Sequence, residues 1–132
     1  MIGLAVVGIL AAVALPSFLD SMRKGRRSEA FSALSSLQLA EERWRSTNPN
    51  YTATLSDLVG VPAVTSSGYY AIAITAADAL SYTATATARS GTTQAGDTGC
   101  TLLVVNMNAG NASTGSASTA LPLTDANRCW AK

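Results

Sequence analysis

Residues 1–19 read MIGLAVVGILAAVALPSFL, and the next eight, Asp20 to Arg27, read DSMRKGRR. The first stretch carries no charge; the second carries five. As a helix, the apolar run would extend roughly 28 Å, close to the hydrocarbon thickness of a bilayer. It is apolar on every side, so it needs lipid or other protein around it. A chain of 132 residues cannot enclose such a helix in its own core. A cleaved secretory signal would carry basic residues ahead of its apolar stretch, which disfavours that reading. A plain anchor obeying the positive-inside rule would put the basic cluster, and the rest of the chain, on the cytoplasmic side.

The pattern changes after Arg27. From Ser28 to Trp44, Ala30, Phe31, Leu34, Leu37 and Trp44 recur at helical spacing, and Leu34, Leu37, Glu41 and Trp44 share a stripe. Glu29, Glu41, Glu42, Arg43 and Arg45 are read as mostly its solvated face. Thr47-Asn48-Pro49-Asn50 ends the helix, because proline disfavours helix at the residue before it. One helix of about 46 residues, roughly 69 Å long, is expected. Its first half is apolar all round and its second half on one side only. Within the first half, Pro16 lacks a backbone donor and Gly8 lowers helix preference. The segment between them is read as the place where the helix bends and, on assembly, partly unwinds.

A connector over 48–68 contains one expected helical turn at Ser56-Asp57. Period-two patterns follow at Tyr69–Thr75 and at Ser81–Ala88, where threonine and alanine alternate. Cys100–Asn106 is more continuously apolar and is read as a third, central strand. Gly91–Gly99 and the Gly/Ser/Asn/Thr-rich stretch Asn108–Thr119 are read as loops, the second a mobile one. The sheet needs a cover, and the Phe31–Trp44 stripe is the one candidate of suitable length. The expected fold is α+β: a long N-terminal helix with an antiparallel sheet packed on its second half. Residues 1–27 form the apolar helix half and 28–132 the globular part.

Composition argues against an enzyme. There is no histidine, charged residues make up 13%, and the net charge is +1. Histidine triads and histidine metal sites are excluded, and two cysteines cannot make a four-ligand zinc site. No catalytic, cofactor-binding or metal-binding residues are assigned. Asp97 and Asp125 could contribute to a calcium site, but two isolated carboxylates are weak evidence. Cys100 and Cys129 either bridge or stay as free thiols. A bridge would close a loop of about 28 residues and contribute about 3–4 kcal/mol. It fits an oxidising compartment and conflicts with a cytoplasmic location.

The run Gly8 to Phe18 resembles the N-terminal helix of bacterial type IV pilins. Asp20 to Arg27 is similar to that family's polar stretch after the helix. The paired cysteines resemble its disulfide-bounded loop, and Cys129-Trp130 resembles the ending of the minor-pilin branch. Gly68-Tyr69-Tyr70 and Ser81–Ala86 are similar to that branch as well. The resemblance implies a structural subunit, a minor pilin, that waits in the inner membrane and is extracted by pilus assembly machinery. Its helices then bundle with those of other pilin subunits, and its sheet faces out. The implied host is a Gram-negative type of bacterium and the final location an extracellular pilus, with its adhesion and twitching motility. A basic leader and a methylated terminus are implied too, which would place the globular part outside the cytoplasm. The family's Phe and Glu upstream of the position of Met1 are missing, so an N-terminally truncated chain is expected.

Two alternatives share the same head: a pseudopilin of type II secretion and a DNA-capturing competence pilin. Distal to the helix base, Arg89, Arg128 and Lys132 are offset by Asp78, Asp97 and Asp125. This distribution predicts no measurable DNA binding at physiological salt.

Overall fold

The computed structural model describes residues 2–117 and 124–130. One α-helix, α1, runs from Ile2 to Arg45, with Pro16 inside it and without a break. Four strands follow: β1 (Tyr70–Ala77), β2 (Ser81–Ala88), β3 (Leu102–Asn108) and β4 (Asn111–Ala117). They form one antiparallel sheet in the order β1-β2-β3-β4. Short 3-10 turns occupy Leu55–Asp57 and Thr93–Gly96. The expected α+β layout of one long helix and an antiparallel sheet is what the chain adopts.

The two halves of α1 differ as their composition requires. Val13 is 70% exposed, and Val6, Val7, Ile9, Leu10, Leu15, Phe18 and Leu19 are likewise bare. In the second half, Ala30, Ala33, Leu34, Leu37 and Ala40 are buried. They form one cluster with Tyr70 and Ile72 of β1, Tyr82, Ala84 and Ala86 of β2, and Leu103, Val105 and Met107 of β3. The Thr/Ala alternation of β2 therefore turns its alanines and Tyr82 into this core. The opposite side of β2 is tied by hydroxyls: the Thr85 hydroxyl donates to the Ala73 carbonyl (3.4 Å), and Asn106 Nδ2 donates to Thr83 Oγ1 (2.8 Å).

Each hairpin has a local cause. Between β1 and β2, Asp78 Oδ1 accepts from the backbone N–H groups of Leu80 and Ser81, both at 2.7 Å. Its other oxygen accepts from the Ser81 hydroxyl at 2.7 Å. Such a side chain organises its own turn. The Ser81 hydroxyl, then the two backbone donors, hold this carboxyl below its ordinary pKa. The edge of β1 is not left open: Ile72 N–H donates to the Ala63 carbonyl, Thr65 N–H to that of Tyr70, and Val64 bridges Ala71.

Four sequence expectations need correction. Asn108–Thr119 is not simply a loop: Asn111–Ala117 is β4, paired along its length with β3. Residues 118 and 119 lie outside the described residues. The connection is a two-residue turn with Ala109 at φ 47° and Gly110 at φ 82°. Positive φ at both positions is the turn geometry that matches strand twist. The third strand starts at Leu102 rather than Cys100, and β1 continues to Ala77 through an irregularity between Ile74 and Ala76. Glu41 does not sit in solvent; it is 0% exposed.

Candidate assembly surface and the bridged loop

Two features are candidates for function: the bare half of α1 and the place where the rest of the chain grips it. α1 is long and apolar enough to cross a membrane, and none of its most apolar window is buried. Gly8 and Pro16 both lie in this bare half, exposed along with their neighbours. The sequence expectation concerning them is a bend, and α1 carries both residues as helix.

The grip begins at the polar stretch. Arg27 Nε and Nη2 each donate to Asp97, at 2.6 Å. This bidentate geometry is the strong form of an Arg–carboxylate contact. The bond to Asp97 raises the Arg27 pKa further above its already high value, against the opposing effect of burial. Gln94 Nε2 also donates to Asp97, at 2.7 Å, and to the Tyr70 hydroxyl, at 2.9 Å. The Tyr70 hydroxyl donates in turn to the Cys100 carbonyl at 3.4 Å. Burial pushes the Tyr70 phenol up to about 12. A chain of contacts thus joins α1, the 92–97 loop, β1 and the first bridged cysteine.

Cys100 and Cys129 are joined, with Cα atoms 5.6 Å apart. Residues 124–130 pack back against β4 and α1, organised by Asp125. One oxygen of Asp125 accepts from the Ser116 hydroxyl (2.5 Å) and the Cys129 N–H (2.7 Å), and the other accepts from the Trp130 N–H (3.1 Å). Trp130 stacks on Phe31 of α1 at 4.5 Å, and its indole N–H donates to the Gly115 carbonyl of β4 at 2.7 Å. Gly99 suits its position, where any side chain would be strained. Its φ is +86°, and a Cβ there would lie 2.5 Å from Asn127 Nδ2. Asp97 and Asp125, the weak calcium candidates, are instead a salt-bridge partner and a turn cap. Among the described residues no group of three or more His, Cys, Asp or Glu side chains could hold a metal.

At the far end of the seated half, Glu41 Oε2 accepts from the Thr52 N–H at 3.2 Å, while Oε1 is buried without a partner. Burial raises the Glu41 pKa, and the Thr52 bond opposes it. The Tyr82 hydroxyl is a second buried group without a partner. Glu42, one residue on, is exposed and accepts from the Tyr51 hydroxyl at 3.1 Å. The sequence held one clue to Glu41: it falls on the stripe of Leu34, Leu37 and Trp44. It held none to the Arg27–Asp97 pair.

A helix half bare and half seated on an antiparallel sheet, with a bridge tying down the C-terminal stretch, defines a type IV pilin subunit. The chain belongs to the family described as type IV minor pilin ComP, DNA uptake sequence receptor, whose model matches residues 16–104. That span takes in Pro16, the seated helix, β1, β2 and Cys100, and stops short of β4 and Cys129. No curated protein matches the chain.

Proposed function

We propose that this chain is a minor structural subunit of a type IV pilus. The bare half of α1 anchors it in the inner membrane of a Gram-negative type of bacterium until the assembly machinery extracts it. The same surface then packs among the helices of other pilin subunits, and the sheet and bridged loop face outward in the extracellular filament. No catalytic step belongs to this role. The observation that carries it is the fully exposed apolar window of α1, joined without a break to a half buried under the sheet. An apolar surface of that extent requires cover by lipid or protein. Fractionation of cells expressing the tagged chain tests the proposal. The chain should partition with the inner membrane and also be found in filaments sheared from the cells. A chain recovered entirely from the aqueous fraction would refute it.

A second reading is that this subunit also captures DNA, and the family description favours it. The surface charge is modest for that role. Distal to the helix base, Arg89 and Arg128 are exposed and Lys132 lies outside the described residues; Asp97 is taken up by Arg27, which leaves Asp78 and Asp125 to offset them. Few phosphate contacts give weak binding and a shallow salt dependence. A gel-shift titration at physiological salt separates the readings. A retained complex supports capture, and free DNA throughout supports the purely structural role.

A further inference from the structure

Where α1 leaves its apolar run, a groove of about 540 Å³ opens between the helix and the 92–96 loop. Phe18, Leu19 and Met22 form its apolar part, and Arg23, Arg26 and Thr93 its polar part. We propose that this groove holds the headgroup phosphate of an anionic phospholipid, with the upper acyl chain against Phe18 and Leu19. The proposal rests on the membrane-anchored reading above.

Height along the helix comes first. Leu19 ends the charge-free run. At 1.5 Å per residue, Arg23 stands roughly 6 Å above it and Arg26 roughly 10 Å. The polar headgroup layer occupies roughly 5–7 Å on each side of the hydrocarbon. Arg23 therefore stands within the phosphate layer when Leu19 sits at its lower edge, and Arg26, about 3 Å beyond it, reaches down because helical side chains lean toward the N-terminus.

Charge comes second. Arg27 is neutralised by Asp97, but its neighbours are not. Among the described residues Arg26 has no carboxylate partner; it donates to Thr93 Oγ1 at 2.5 Å and lies 3.9 Å from the centre of the Tyr69 ring. That leaves the Thr93 hydroxyl proton available as a donor. The one carboxylate that Arg23 meets among the described residues is Asp20, at 3.5 Å, a weak pair. Arg23 also reaches the loop: a Cβ on Gly96 would stand 3.3 Å from its Nη2. Two cations and a hydroxyl donor above an apolar floor match a phosphodiester above acyl chains. The helix of a second copy fits less well, because its Asp20 is followed by four cations of its own and is a poorer anion for either arginine than a phosphodiester.

The test uses the full chain in neutral detergent micelles, followed by amide NMR of residues 92–96. Short-chain phosphatidylglycerol should shift these signals saturably. Short-chain phosphatidylcholine and inorganic phosphate should act several-fold more weakly. Arg23→Gln, which removes the weak Asp20 pair and the approach to Gly96 but no buried contact, should weaken the phosphatidylglycerol response about fivefold. Arg26→Gln should weaken it at least as much. Equal responses to both lipids, an equal response to phosphate alone, or an unchanged response in Arg23→Gln overturns the site. So do shifts that follow protein concentration without lipid, which would put a second copy in the groove. A chain that is monodisperse in plain buffer, without micelles, overturns the anchoring reading and the site with it. A micelle-bound chain with no phosphatidylglycerol preference overturns the site alone.

Discussion

Arg27 and Asp97 stand 70 residues apart in sequence and meet through two 2.6 Å hydrogen bonds at the lower end of the seated helix. Asp97 is buried and Arg27 nearly so, with side-chain exposures of 7% and 15%. The pair fixes the 92–97 loop to α1, and through Gln94 and Tyr70 it reaches the start of the bridged segment. It thus sets where the globular part stops along the helix, and so how much of the apolar run stays bare.

Removing one partner should therefore cost more than removing both. Arg27→Leu leaves the Asp97 carboxylate buried without its cation and should destabilise the fold by about 3 kcal/mol. The double variant Arg27→Leu/Asp97→Leu should recover a large part of that loss. Urea unfolding in micelles, followed by tryptophan fluorescence, measures both. Equal losses in the single and double variants would show that the pair is incidental.

Glu41 gives the pH dependence its sign. Burial raises its pKa in the folded chain, so the folded state holds the proton more tightly than the unfolded state. This contribution is fully present below the unfolded-state carboxylate pKa and is lost as pH rises through the folded one. Wild-type stability should therefore fall across that window. Glu41→Gln, which cannot ionise, should flatten the fall and be the more stable protein at neutral pH. Parallel pH profiles for the two proteins would contradict the assignment.

The parts legible from sequence are those with a local cause. The charge-free head, the helical stripe from Ala30 to Trp44 and the Thr/Ala alternation of β2 each fix the periodicity of their own element. Strand β4, Asn111–Ala117, has no large side chain to mark it, and its turn is Ala109-Gly110 rather than Asn-Gly or Asp-Gly. It is held by pairing with β3, its neighbour across that turn, and by Trp130, 15 residues beyond Gly115. Glu41 was visible in the spacing and hidden by its chemistry, since a carboxylate on an apolar stripe reads as solvated. The Arg27–Asp97 pair depends on tertiary placement and left no trace in the spacing. The cysteines were the most informative distant pair, although sequence alone left free thiols open.

The bridge should matter most for the C-terminal stretch. Cys100→Ser with Cys129→Ser should lower stability by about 3–4 kcal/mol by releasing a long loop in the unfolded chain. Hydrogen exchange should then rise first at Ser116, Cys129→Ser and Trp130, where the Asp125 contacts hold the fold-back. Unchanged exchange there would mean that Asp125 and the Phe31–Trp130 stack suffice.

Pro16 and Gly8 concern the filament rather than the isolated subunit. Pro16 removes one helix bond, and Gly8 lowers local helix preference by about 1 kcal/mol relative to alanine. The segment between them should unwind partly when bundled, where protein rather than lipid surrounds the freed backbone groups. Gly8→Ala with Pro16→Ala should give stiffer filaments or none, as read by force-extension of single pili. Unchanged assembly and extensibility would show that neither residue sets the helix's weak point.

In the proposed role, the bare half of α1 carries this subunit into a filament. Val13, 70% exposed in the middle of that half, is the position to test. Sheared filaments from cells expressing the wild-type chain or Val13→Glu should be separated from the cell envelope and probed for the subunit. The wild-type chain should be found in the filament fraction, and Val13→Glu should be missing from it while the globular part keeps its Cys100–Cys129 bridge. Val13→Glu present in filaments at the wild-type level, or the wild-type chain absent from them, would contradict that role.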